Sequence, residues 1–366
     1  MRNILLIMDY SAPYRGNFIS SIEHLEKHWV EEGEFLYLFP DKAKNLSWLK
    51  EMENNGKKIL FIDNLFFSKK FKIKTLFLLR KMIKNERIDI IHTHFVSHNY
   101  SLFIMRKLLC RGIKIIANMH NHYSIAGRLG KLKTFIMRNT IDLFIGDSES
   151  VSLSVINIGV SKKRVLTVRN SIDFSRLDRY QEFNFKKNKS NFSILMFGHP
   201  WHRKGVDIVV KSVEALNKIK GIAYITLCIA AAGYIDKLQE GIIQSLGYFP
   251  EWINILKPIE DLASYYNSAD IFISAGREEG LSYSPIEASY CNCQVVCSNI
   301  EGNPLDIPGI EIYQVENYSD LIMKIDLCLS RNTIDIKKAK EHQRNYVINN
   351  YNIDNWAKQI IACYAI

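Results

Sequence analysis

Short apolar runs rich in β-branched residues recur along the chain, each followed by an amphipathic stretch of helical length. In the first half they are ILLIM (4–8), FLYLF (35–39), KILFI (58–62), DIIHTH (89–94), KIIANMH (114–120), LFIGDS (143–148) and VLTVRN (165–170). In the second half they are SILMFG (193–198), YITLCIA (224–230), INILK (253–257), IFISA (271–275), QVVCS (294–298) and IEIYQV (310–315). Continuous apolar strands alternating with helices predict parallel sheets covered on both faces. Two such series predict two doubly wound α/β domains, with ligands at the strands' carboxyl ends, facing the cleft between them. The polar, aperiodic DFSRLDRYQEFNFKKNKSN (173–191) reads as a linker. Domains are therefore expected at 1–172 and 192–345, with a helical tail over 346–366 crossing back to the first.

At 366 residues the chain has room for two cores, and 47% apolar with 23% charged residues excludes disordered and fibrous classes. No run reaches the roughly 18 to 20 apolar residues of a spanning helix. The opening MRNILLIMDY holds too short an apolar core for a secretory leader and reads as a first buried strand. Seven cysteines are odd in number and lack metal-ligand or disulfide spacing, which fits a reduced, cytoplasmic protein. Charge is uneven: residues 1–185 hold 30 Lys and Arg against 18 Asp and Glu, and residues 90–141 hold eight basic residues and no acidic one. That asymmetry predicts a first domain facing something anionic, whether membrane surface, nucleic acid or phosphorylated acceptor. Within it, SKKFKIKTLFLLRKMIKNER (68–87) reads either as a helix packing its apolar stripe inward or as a membrane-surface contact.

Candidate chemistry concentrates in REEGLSYSPIEASYCNCQVVCS (277–298). Its Glu279 and Glu287 admit three readings: an acid–base pair, a nucleotide-sugar grip, or the start of a capped helix. Pro285 suits a first helical position, and Ser284 with Glu287 three residues on spells a capping box. A helix opening directly after a strand and a glycine turn also makes an anion site. A carboxylate there repels the anion unless it is held aside for sugar hydroxyls.

The run E-G-L-S-Y-S-P-I-E-A (279–288) resembles the E-x7-E signature of the family 4 retaining glycosyltransferases, which have the GT-B fold. The resemblance spans nearly the whole chain, firmest over 192–300. It implies that Glu279 contacts donor-sugar hydroxyls, that Glu287 contacts the nucleotide ribose, and that amides around Leu281, Ser282 and Tyr283 meet sugar and diphosphate. Gly280-Leu281-Ser282 stands where the family usually reads G-F-G. FGHPWHRKGVDIVVKSVEAL (197–216) is similar to the family's G-R-x(n)-K-G segment. Lys204 matches the lysine that neutralises the diphosphate, His199 replaces the usual arginine, and Arg203 is a candidate to carry part of that charge. RNSID (169–173) resembles the turn ending the first domain, Pro258 and Ile259 fall at the base pocket, and Gly16 lies in the N-terminal glycine turn. His120 matches a histidine facing the transferred sugar.

The other reading of His92, His94, His120 and His122, a metal site, lacks a carboxylate or cysteine partner at useful spacing. The HNH triplet alone is no nuclease signal.

The resemblance implies a hexosyltransferase with retention, front-face substitution and neither metal nor other cofactor. Its expected partners are a nucleoside-diphosphate sugar, UDP-linked above others, and a saccharide or polyprenyl-diphosphate-linked acceptor. An anionic membrane surface at the inner face of the cell membrane is expected as well, and no nucleic acid. Two alternatives stand beside it. One is a catalytically silent GT-B subunit activating a partner, suggested by His199 and Ser282. The other is a GT-B nucleotide-sugar epimerase. A dehydrogenase is disfavoured, since neither domain carries G-x-G-x-x-G after its first strand.

Overall fold

Thirteen described strands build two parallel sheets, and the computed structural model shows why their sequences are apolar on both faces. It describes residues 2–365 apart from 30–32, 68–72, 96–99, 110–111, 124–126, 181–190, 222–224, 231–234, 258–261 and 292. The chain divides into one unit of residues 1–170 with 353–366, and a second of residues 171–352.

In the first unit the strands are β1 (Asn3–Met8), β2 (Phe35–Pro40), β3 (Lys58–Ile62), β4 (Ile88–His94), β5 (Lys114–Met119), β6 (Leu143–Gly146) and β7 (Val165–Thr167). They lie side by side in the order β3-β2-β1-β4-β5-β6-β7. Alternate residues of β1 feed different cores: Leu5 and Ile7 join one apolar cluster, and Ile4, Leu6 and Met8 the other. A strand covered on both faces has no polar positions to alternate, which is why it reads as a continuous run. The order reverses between β1 and β4, so their carboxyl ends flank the switch point where open α/β sheets bind ligands.

The second unit holds β8 (Phe192–Phe197), β9 (Ile225–Ala230), β10 (Ile253–Leu256), β11 (Ile271–Ser274), β12 (Gln294–Ser298) and β13 (Glu311–Tyr313). Their order is β10-β9-β8-β11-β12-β13, with the reversal between β8 and β11. Ile194, Met196, Ile271 and Ile273 feed one face, and Leu195 and Phe272 the other.

Two boundaries differ from those expected. Residues 346–352 stay with the second unit, because Val347 and Tyr351 are buried in its core and the Ile172 amide donates to the Tyr351 carbonyl at 3.0 Å. Only the helix Ile353–Ala365 returns, placing Ile353, Trp356, Ala357, Ile360, Cys363 and Tyr364 on one face of the first unit's sheet. The spacing is that of a helical stripe. The described part of the expected linker is packed as well: Phe174 stacks on Tyr290 with centroids 4.4 Å apart, and Leu177 is buried. Among the described residues no helix is long and apolar enough to cross a membrane.

Candidate functional site

The loops that follow β8 and β11, the two strands at the second unit's switch point, are drawn together by glycine. Gly205 sits at φ +66°, and a Cβ there would lie 2.1 Å from the Ala275 carbonyl oxygen. Only glycine tolerates both the left-handed backbone and that approach. The contact sets the 199–205 loop against the end of β11, and the Arg277 amide donates to the Arg203 carbonyl at 2.9 Å.

Two charged side chains from these loops then meet. Lys204 Nζ donates to Glu279 Oε1 at 2.6 Å, and Arg203 Nη1 lies 3.6 Å from Glu279 Oε2. The Glu279 and Lys204 side chains are 10% and 22% exposed, whereas Arg203 is 46% exposed. Lys204 stands just before Gly205, the N-cap of the helix Val206–Lys220, where the dipole disfavours a cation. The Glu279 carboxylate compensates that charge from within the protein.

Arg277 holds the frame. Its guanidinium grips Asp207 in the first turn of the Val206–Lys220 helix through two hydrogen bonds of 2.9 Å, and also bonds Glu316 and the His202 carbonyl. From the other side, the 300–303 loop presses on Glu279: a Cβ on Gly302 would lie 2.1 Å from the Glu279 carbonyl oxygen.

The helix after this loop is Tyr283–Tyr290, with Ser282 at its N-cap and no side-chain cap bond. The capping box expected of Ser284 and Glu287 is therefore not formed, because the helix starts earlier than the motif requires. Pro285 still falls in the first turn, where backbone N–H groups have no helical partner. The buried Glu287 instead accepts from Arg176, and from the Tyr266 hydroxyl at 2.9 Å. Burial lowers the pKa of Arg176 and raises that of Tyr266. Of the three amides expected to face a ligand, that of Ser282 is directed inward, to the Gly302 carbonyl at 2.7 Å. Gly280 and Leu281 are half-buried in the same turn, and His199 is exposed in the loop after β8. Pro258 and Ile259 lie outside the described residues.

The first unit assembles its own polar cluster at the ends of β4 and β5. His94 Nδ1 and His120 Nε2 share a hydrogen bond of 3.1 Å, and His120 Nδ1 lies 3.8 Å from Asp147 Oδ2. His92 bonds Asn118 at 3.0 Å and the Tyr364 hydroxyl at 2.8 Å. Phe18, two residues beyond the positive-φ turn at Gly16, packs its edge on His94 and His120. Phe95 stacks on His120 at 4.3 Å with its own φ at +65°, a backbone conformation rare outside glycine. Burial lowers His92 to a pKa of about 4 and His120 to about 3, so both rings are neutral near physiological pH. Burial pushes Asp147 up to about 7. The His120–Asp147 contact is thus between neutral groups over the acidic range, not a salt bridge.

Known proteins cover both halves of this geometry. The family model described as Glycosyltransferase Family 4 matches residues 24–176, and that described as Glycosyl transferases group 1 matches residues 191–331. The chain belongs to the group 1, family 4 glycosyltransferases. It is 20% identical to the phosphatidylinositol N-acetylglucosaminyltransferase GPI3 subunit of Saccharomyces cerevisiae, over 87% of this chain and 73% of that protein. It is 23% identical to the capsular polysaccharide biosynthesis glycosyltransferase CapH of Staphylococcus aureus, over 83% of this chain and 81% of that one. Its GT-B fold is shared by Anabaena HepE in complex with UDP-glucose, with a TM-score of 0.76, 13% identity and full coverage of both chains.

Several residues that shape this transferase's candidate site escaped the sequence reading. Arg277 heads the quoted stretch, but nothing in its spacing points to Asp207. Arg176 lay in what read as linker, and Asp147 in what read as a strand end. Tyr266 offered only a tyrosine pair in a helical stretch. Each is tied to its partner through sequence separations that no local pattern encodes.

Asp147 gives a pH-dependent test. Folded, it keeps its proton to about pH 7, whereas an unfolded aspartate releases it near pH 4. Between those values the folded state binds more protons, so this group's contribution to stability falls as pH rises through the window. Asp147→Asn removes that slope. Its melting temperature relative to the parent chain is expected to rise between about pH 5 and pH 8. Parallel curves for the two proteins would contradict the assignment.

Proposed function

We propose that this glycosyltransferase moves a hexose from a UDP-sugar to a hydroxyl of a lipid-linked or growing saccharide in cell-surface polysaccharide synthesis, with retention and without a metal. The observation that carries the reading is the carboxylate of Glu279 held by Lys204 and flanked by Arg203, one turn before the start of a helix. Glycosyl transfer develops positive charge on the sugar and negative charge on the departing diphosphate. Cations and a helix N-terminus fixed in advance stabilise that departing charge where it forms.

In this reading Lys204 binds the diphosphate, with Arg203 carrying part of the charge that His199 does not. Glu279 accepts from hydroxyls of the donor sugar. Its paired state keeps its charge from repelling the diphosphate. Each Glu287 oxygen already accepts one hydrogen bond and retains a further lone pair for a ribose hydroxyl. His120, neutral at working pH, holds a sugar hydroxyl rather than supplying charge. The UDP preference draws on HepE, and the lipid or polysaccharide acceptor on the names of the yeast and staphylococcal relatives.

The first domain docks on anionic membrane in the same reading. The helix Ile73–Asn85 turns Leu76, Leu79 and Ile83 inward and leaves Ile73, Phe77 and Leu78 exposed. The helix Gly127–Thr140 exposes Leu132 and Phe135, and the short helix Tyr100–Ile104 packs against both. Beside Phe135 lies a cleft of about 680 Å³ lined by Lys131, Arg138 and Arg164, with no acidic side chain among its described lining residues. Apolar side chains interleaved with cations are what an interfacial contact requires.

Release of UDP from a UDP-sugar in the presence of a saccharide acceptor tests the chemistry. Lys204→Ala is expected to lower kcat by about 10² to 10³-fold, as loss of one preorganised hydrogen-bond donor to a developing anion does elsewhere. Donor binding without turnover of any nucleotide sugar sinks the transfer reading and favours a silent subunit. Vesicle co-sedimentation tests the docking. Replacing Phe77 and Phe135 together by serine is expected to weaken binding to anionic vesicles by about tenfold or more. Unchanged partitioning, or equal binding to neutral vesicles at high salt, would count against it.

A further inference from the structure

The first unit carries a second group of histidines that no part of glycosyl transfer uses. The helix Gly16–Lys27 ends with His24 in its last turn and His28 just beyond, one turn apart on one face. Asp354, in the first turn of the returning helix Ile353–Ala365, reaches both. Its Oδ1 lies 3.2 Å from His24 Nδ1 and 2.6 Å from His28 Nε2. The three side chains are 18%, 22% and 44% exposed, so solvent reaches the group.

We propose that His24, His28 and Asp354 bind one divalent transition-metal ion of the zinc class, tying the returning helix to the first unit. The three ligand atoms lie within 4.8 Å of one another. Two imidazole nitrogens and one carboxylate oxygen form a donor set of borderline softness that suits zinc over magnesium or calcium. With bond lengths of about 2.0–2.2 Å, neighbouring ligand atoms around a tetrahedral ion stand about 3.3 Å apart. The His24–Asp354 spacing already matches this, and His28 needs only to draw back by a fraction of an ångström. Three protein ligands leave the fourth position to water.

The chemistry is set for exchange. On binding, the proton on each ring nitrogen that faces Asp354 moves to the other ring nitrogen or is released to solvent, and the freed lone pair turns to the ion. One hydrogen bond to Asp354 requires one histidine. Two, at i and i+4 on one helix face and aimed at the same oxygen, converge as metal-binding histidine pairs do.

The consequence falls on the return helix, which follows the whole second unit in sequence yet packs in the first. An ion that binds only the packed state stabilises it by mass action.

The inference is independent of the donor-site reading and is tested without turnover. Tag-free protein stripped of metal is titrated with zinc chloride by calorimetry, and with cobalt chloride by visible absorption. The comparison is His24→Gln with His28→Gln in one chain, because a glutamine amide still donates to Asp354 but is a poor zinc ligand. The parent is expected to take up one zinc per chain, to show the visible bands of four-coordinate cobalt, and to melt higher with zinc. The double variant should match the parent's metal-free melting temperature. Its zinc affinity should fall by more than about a hundredfold, since even outer-shell changes cost about 10- to 100-fold. No zinc uptake by the parent overturns the proposal, as does equal uptake and equal thermal shift in the variant. A variant that melts lower without metal, beside a parent indifferent to zinc, reduces the group to an ion-pair clamp.

Discussion

The pairing of Lys204 with Glu279 is the interaction around which the second domain's candidate site is arranged. A helix start that receives a diphosphate does not tolerate a bare carboxylate beside it, and a lysine before a helix start is itself disfavoured by the dipole. Joined at 2.6 Å and largely shielded from solvent, the two remove each other's penalty. Everything nearby serves to keep them in reach. Gly205 lets the lysine loop press on β11, Gly302 lets a third loop press on Glu279, and Arg277 fastens its own loop and the lysine loop to the Val206–Lys220 helix. A shielded pair gains its attraction only against the cost of desolvating both charges, so positioning is the better account of why such a frame surrounds one.

The first domain makes the opposite electrostatic choice at the carboxyl ends of its strands. Where the second domain holds charge in pairs, the ends of β4 and β5 hold histidines stripped of theirs by burial. Neutral imidazoles offer one donor and one acceptor each, which suits reading hydroxyls and does not attract phosphate. Each sheet reverses its strand order once: the Lys204–Glu279 pair follows the two strands at that reversal, and the histidines follow β4, which borders it, and β5.

The strands were legible because a parallel strand buried on both faces leaves an unbroken apolar run, and all thirteen runs became strands. Glu279 and Lys204 were legible through motif spacing, and the structure brings their side chains together. Other features were not. Ser284 and Glu287 spell a capping box, yet burial beside Arg176 and Tyr266 offered Glu287 stronger partners than the N-cap did. The stretch after 173 looked like linker because its polar residues show no period, while Phe174, Arg176 and Asp178 each find a partner on the Tyr283–Tyr290 helix. His24, His28 and Asp354 meet across more than three hundred residues. Local pattern reports burial and turns; it does not report which distant charge will arrive.

The most direct test of the central claim is a double-mutant cycle on UDP-sugar turnover with Lys204→Met, Glu279→Gln and both together. If each residue acts through the other, the second substitution adds little once the first is made. The coupling should then reach about 1–3 kcal/mol, as for residues sharing one network. Losses that simply add, within a few tenths of a kcal/mol, would show that the two residues work independently and would contradict the account.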